Sequence, residues 1–248
     1  MRGPFIASQV LSVALCLRPV LLRLTVSPVR ILLVEDHLMF REVLRKVCAE
    51  ELRHEIVGEA DDGRRAIELV AQVLPDLVLL DLHLPTLDGF AVLERLRKVS
   101  PHTRVLVLSS HCDNYTVFRI ERARVQGFVD KNTNTVSALK SAIATVEAGK
   151  VWYSETFLRV KRARLHDPNS FDKLLTPRER DVLVLVGAAL SDAKIAERLN
   201  IAAETVEKHR FNVLKKLGVE STGDLVRYAR EHGFTLSEEV ERGGSLRP

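Results

Sequence analysis

Three carboxylates and one lysine carry the chemistry that this sequence suggests. Asp81 closes the apolar run Leu77–Leu80 within the stretch Pro75–Phe90. That run reads as a short strand buried on both faces. An aspartate closing such a strand sits at the carboxyl edge of a parallel sheet, where open α/β folds place their chemistry. Alone, Asp81 reads more readily as a turn or N-cap residue, and Pro85 and Gly89 shape the loop behind it. Its company changes the reading. Other apolar runs end in Glu35-Asp36, in Ser109-Ser110 and in Lys131. Three carboxylates meeting at one edge repel one another and are costly unless a divalent cation holds them. Mg²⁺ fits, because it takes a few carboxylate oxygens and completes its octahedron with water and phosphate oxygens. A lysine and a hydroxyl opposite would cradle a phosphoryl group, with Asp81 as nucleophile.

The elements that must position these groups alternate regularly. Strands are expected over 29–34, 55–60, 77–81, 104–109 and 127–131. Helices are expected over 38–50 and 64–74, through Phe90, Leu93 and Leu96, and over 114–122 and 135–148, the last ending at Gly149. Five β–α pairs imply a five-stranded, doubly wound parallel sheet, with right-handed crossovers giving the order 2-1-3-4-5.

Val34-Glu-Asp-His37, Asp81-Leu-His-Leu-Pro85 with Asp88-Gly89, Leu108-Ser109 and Gly127-Phe-Val-Asp-Lys131 resemble the receiver domain of two-component response regulators. The resemblance covers 29–149 and implies a flavodoxin-like fold with Asp81 as phosphoacceptor. It implies Mg²⁺ held by Asp36, Asp81 and the backbone carbonyl of His83, with Glu35 assisting through water. Ser109 and Lys131 would contact phosphoryl oxygens, and Ser109 and Phe128 would form the switch. Ser109 stands where threonine is frequent, and Phe128 where tyrosine is, so the switch has no phenol hydrogen bond. His83 and His111 lie where they would alter the phosphate's lifetime, or are solvated loop residues.

Residues 150–172 lose the alternation. The basic run Arg159–Arg164 and the turn-rich His166–Ser170 read as a linker. Beyond it the pattern is all-α, with four helices over 173–236. Thr176-Pro-Arg-Glu179 is a capping box with proline at the first helical position. A short helix (192–199), a turn at 200–203 and a helix over 204–217 form a helix-turn-helix layout. On that last helix Val206, His209, Val213 and Leu217 share one side, opposite Glu204, Lys208, Phe211 and Lys215.

Leu175–Glu179, Leu190-Ser191, Ile195-Ala196, Thr205–His209 and Leu214–Val219 resemble the LuxR-type DNA-binding domain. The resemblance implies that this helix enters the major groove of double-stranded DNA. Lys208, Phe211 and Glu207 are then candidates for base edges, and Thr205, Asn212, Lys215 and Lys216 for phosphates. Lys215 and Lys216 also complement the helix dipole. Phe211 is expected either on thymine methyls or beneath the receiver in an inactive state. His209 is expected to be structural, with a ring nitrogen on the backbone. Ala189 stands where the family often has glycine; if its φ is positive, it costs about 1 kcal/mol.

The order receiver, linker, LuxR-type module matches regulators of the NarL/FixJ type. It implies a transcription factor rather than an enzyme, switched by a sensor histidine kinase docking on the helix after His37. A homodimer on paired half-sites is expected once it is phosphorylated. A Mg²⁺-dependent phosphatase on the same sheet would want an aspartate at position 83, which is histidine. A regulator that uses its receiver only for dimerisation remains the other alternative.

The formal charge of +4 is no argument for DNA, because residues 1–30 hold four arginines and no acid while the rest cancels. The cysteines, Cys16, Cys48 and Cys112, form neither a disulfide framework nor a zinc site, and fit a reducing cytoplasm. Residues 1–28 read as a disordered or artefactual extension. Phe5–Leu17 resembles a signal-peptide core, but Arg18, Pro19 and Arg23 stop it short of a spanning helix, so no membrane is expected. Residues 237–248 read as a flexible tail.

Overall fold

A computed structural model describes residues 28–234, so the expectations for 1–27 and for the tail beyond 234 lie outside the described residues. Strands β1 (Arg30–Val34), β2 (Glu55–Ala60), β3 (Leu77–Asp81), β4 (Arg104–Ser109) and β5 (Gly127–Asp130) alternate with α1 (Leu38–Arg45), α2 (Gly63–Val73), α3 (Gly89–Val99), α4 (Asn114–Ala123) and α5 (Val136–Glu147). The first helix continues as a π-helical stretch over Lys46–Glu51.

Side chains alternate across each strand, so each strand feeds two cores. Leu32, Val34, Val78, Leu80, Val105 and Val107 pack with α2, α3 and α4 on one face. Ile31, Leu33, Leu77, Leu79, Leu106 and Leu108 pack with α1 and α5 on the other. Burial on both faces explains why β3 reads as an uninterrupted apolar run. The expected order holds for five strands, and a sixth extends it to β2-β1-β3-β4-β5-β6.

The segment 150–172, expected as a linker, contains that strand. β6 (Trp152–Tyr153) pairs parallel to β5, and α6 (Glu155–His166) follows, capped by the Ser154 side chain. A two-residue strand is too short for any hydrophobic period to reveal it. Phe157 of α6 is fully buried in the receiver core, its ring 5.1 Å from that of Phe128 and 4.6 Å from that of Tyr153.

The helical module begins with a short α7 (Phe171–Leu174). It continues through α8 (Pro177–Gly187), α9 (Asp192–Leu199), α10 (Ala203–Leu217) and α11 (Thr222–Glu231). The Thr176–Glu179 capping box forms as the sequence implies, and Gly218 ends α10 with φ +66°. Among the described residues, no helix is long and apolar enough to cross a membrane.

Candidate phosphoacceptor site and nucleic-acid interface

The fold brings Glu35, Asp36, Asp81 and Lys131 together. Glu35 and Asp36 follow β1, Asp81 ends β3 and Lys131 follows β5. Lys131 Nζ donates to Glu35 Oε2 and to Asp81 Oδ2, at 2.7 Å each. The His83 backbone N–H donates to Asp81 Oδ1 at 3.0 Å. Glu35 is fully buried and Asp81 is 4% exposed, whereas Asp36 faces solvent. Burial, and then the Asp81 charge, push the Glu35 carboxyl above its usual range, while Lys131 and the His37 N–H oppose this.

One carboxylate oxygen from each of Glu35, Asp36 and Asp81 lies within 4.8 Å of the others. Three hard oxygen donors within reach of one another suit a small divalent cation, so the donor set fits Mg²⁺. Gly89 makes the loop possible, because a Cβ there would fall 2.5 Å from the Asp81 carbonyl oxygen.

Of the switch candidates, Ser109 sits at the same edge and Phe128 lies inside β5. Ser109 is buried, its Oγ accepting the His111 backbone N–H at 3.1 Å, and its carbonyl accepts the Lys131 N–H at 2.9 Å. Phe128 points into the core against Phe157. The His83 and His111 rings lie 4.1 Å apart beside Asp81. Burial, then the His111 charge, hold the His83 imidazole below its ordinary value.

Residues 31–144 match the response regulator receiver domain, and residues 173–229 match the bacterial regulatory proteins of the luxR family. The transcriptional regulatory protein MctR of Rhizobium johnstonii is 34% identical over 207 residues, which cover 83% of this chain and 95% of MctR. The chain belongs to the response regulators. The nitrate/nitrite response regulator protein NarL of Escherichia coli K12 is also 34% identical, over 199 residues covering 79% of this regulator and 92% of NarL. The fold is shared with RcsB of Salmonella enterica serovar Typhimurium bound to promoter P1flhDC in the presence of BeF3-. That match has a TM-score of 0.60 at 22% identity, covering 82% of this chain and 98% of RcsB.

In the regulator's LuxR-type domain, Val206 and Val213 of α10 are buried, while Glu204, Thr205, Glu207, Lys208, Phe211 and Lys215 are exposed. Asn212 is half-buried. Two expectations, for Phe211 and His209, need correction. Phe211 is 65% exposed, so the receiver does not cover it here. Lys216 donates to both oxygens of Glu179, at 2.9 and 2.7 Å, and so joins the capping box of α8. His209 turns inward, but its Nδ1 is buried with no hydrogen-bond partner. The concern over Ala189 holds, since its φ is +57°.

Sequence reasoning missed the contact between the two domains. Tyr115 and Phe118 of α4 pack onto the C-terminal core against Phe171 and Phe234, and the Tyr115 N–H donates to the His232 carbonyl at 3.2 Å. Beside them Arg164 of α6, only 4% exposed, bridges Glu121 of α4 and Asp172 of α7. The signals were an unexplained aromatic pair on α4 and an arginine inside a run that read as solvated linker.

Proposed function

We propose that this response regulator is phosphorylated on Asp81 by a sensor histidine kinase and then binds paired half-sites of double-stranded DNA as a homodimer. The observation that carries this is the Asp81 carboxylate, nearly buried, paired with Lys131 and within reach of two further carboxylates. Attack by an Asp81 oxygen on the kinase's phosphohistidine forms a P–O bond and breaks the P–N bond. The imidazole leaves as the neutral ring, its nitrogen taking a proton from solvent as the P–N bond breaks.

Glu35, Asp36, Asp81 and the His83 carbonyl are the groups that would hold Mg²⁺. When bound, Mg²⁺ neutralises charge on the transferring phosphoryl oxygens. Lys131, already aimed at Asp81, turns to a phosphoryl oxygen, and the Ser109 hydroxyl donates to another. Pulling Ser109 inward shifts the end of β4, and Phe128 on the adjacent strand repacks against Phe157 of α6.

Because α10 is exposed beforehand, phosphorylation has no need to uncover it. Its effect is on how the receiver holds the DNA-binding module through α4 and α6, and so on how two copies pair. On DNA, Lys208, Phe211 and Glu207 of α10 meet base edges, and Thr205, Asn212, Lys215 and Lys216 hold phosphates. The chain acts as a cytoplasmic transcription regulator rather than an enzyme.

The test is a Phos-tag gel after incubation with acetyl phosphate and Mg²⁺, wild type beside Asp81→Asn. A retarded band that needs Mg²⁺ and is lost in Asp81→Asn is expected, with tighter binding to promoter DNA in the retarded species. Folded wild-type protein that shows no shift with acetyl phosphate or with candidate kinases points instead to a regulator that works without phosphorylation.

A further inference from the structure

A crevice of about 790 Å³ lies between the two domains, walled by α3 and α4 of the receiver and by α8 of the DNA-binding module. Its size falls in the range of small-molecule sites, which occur preferentially at domain interfaces. None of the phosphoacceptor residues and none of the exposed residues of α10 line it.

Its lining is of two kinds. The half-buried rings of Phe90, Tyr115 and Phe118 supply flat apolar surface. Around them, cationic side chains outnumber the carboxylates of Asp88, Glu94 and Asp181. The Arg119 guanidinium lies 3.5 Å over the Phe90 ring, and its closest approach to Asp88 is a loose 3.9 Å. The guanidiniums of Arg122 and Arg180 stand 5.6 and 5.1 Å from the Phe118 ring. Among the described residues Arg122 has no carboxylate partner. Arg180 spends one N–H on the Leu175 carbonyl, at 2.9 Å, and the N–H groups that remain on these guanidiniums suit a carboxylate, sulfonate or phosphate, beside rings that offer a planar group apolar contact.

We propose that the inter-domain crevice is a binding site for a flat aromatic anion of about mononucleotide size, held by Arg119, Arg122 and Arg180 above Phe90, Tyr115 and Phe118. Because its walls come from both domains, an occupant favours the packed arrangement over any in which they separate. This is a second input to the regulator, independent of Asp81.

The test uses the full chain and 8-anilinonaphthalene-1-sulfonate, a fluorescent aromatic anion, with AMP as competitor. Saturable binding with one site per chain, displaced by AMP, is expected. Arg122→Glu, an exposed position whose folding is checked by circular dichroism, should weaken both ligands by about tenfold or more, as loss of one charge-assisted contact implies. Arg180→Glu, on the opposite wall, should do the same. Lys208→Glu, on the exposed face of α10, should leave both affinities unchanged. Absence of saturable binding, failure of AMP to compete, or equal affinities in wild type and both crevice variants overturns the proposal. So does an equal loss in Lys208→Glu, which would mean attraction by charge alone. No DNA or phosphorylation enters the measurement, so it stands or falls separately from the function proposed above.

Discussion

Lys131 is the side chain on which the acidic site turns. It neutralises two carboxylates that are 1% and 6% exposed, and breaking a buried pair by removing one partner costs about 3–5 kcal/mol. Lys131→Met should therefore lower stability in EDTA, by about 2–4 kcal/mol in urea denaturation, since part of the site opens to water through Asp36. Mg²⁺ should recover more stability in Lys131→Met than in wild type. Equal effects of Mg²⁺ on the two proteins would mean that the carboxylates do not hold it. At Ala189 the energetics concern backbone alone. A residue with a Cβ at φ +57° is strained, so Ala189→Gly should stabilise the C-terminal module by about 0.5–1 kcal/mol in the same assay.

At the scale of elements, α8 and α10 are joined by the Glu179–Lys216 pair built on the capping box. Burial pushes the Glu179 carboxyl up, but hydrogen bonds from Lys216 and Thr176 outweigh it and hold the group below its ordinary value of 4.5. A carboxylate depressed in the folded state adds stability above its unfolded pKa, and that stability is lost as pH falls through the folded value. Wild type should therefore exceed Glu179→Gln by about 1–2 kcal/mol near neutral pH, and the gap should close as pH drops below 4.5. Denaturation curves at several pH values measure it, and a gap that widens on acidification would contradict the assignment. Helix α6 works differently. Arg164 ties it to α4 and α7, while Phe157 anchors its start behind Phe128, so the element between the domains is also part of the receiver core.

Over the whole molecule, the receiver grips the DNA-binding module by the N-terminal end of α4 and leaves α10 outside. Gly233 permits that grip. A Cβ there would lie 1.8 Å from Asp113 Oδ1, an atom already fixed as the N-cap acceptor of α4, and its φ of +80° disfavours any other residue. Gly233→Ala should part the domains, seen as an increased radius of gyration in X-ray scattering and faster proteolysis between α6 and α8. Unchanged scattering and proteolysis would mean that the contact yields locally without opening.

The receiver was legible because its signals are local: apolar runs of buried strands, each closed by a polar residue, in one repeated order. Asp81, Glu35, Asp36, Ser109 and Lys131 converge because a parallel sheet puts every carboxyl end at one edge, so topology alone brings them within reach. The helix-turn-helix was legible from the short helix, turn and wheel of α10 together with the wording that resembles the LuxR-type domain. Where a long side chain spends its charge is decided by neighbours distant in the chain. Lys216, placed by its helix near phosphates and the dipole's negative end, also pairs with Glu179 of α8. Arg164 lies in a run that reads as a linker and is buried between two acids, and Phe211, expected on thymine methyls or beneath the receiver, is exposed. A two-residue strand carries no period, and an inter-domain crevice has no sequence signature, because its walls come from helices whose outward faces look like ordinary surface. Spacing along the chain therefore determined the fold and the acidic site, and tertiary packing alone decided the sixth strand, the grip on α4 and the exposure of α10.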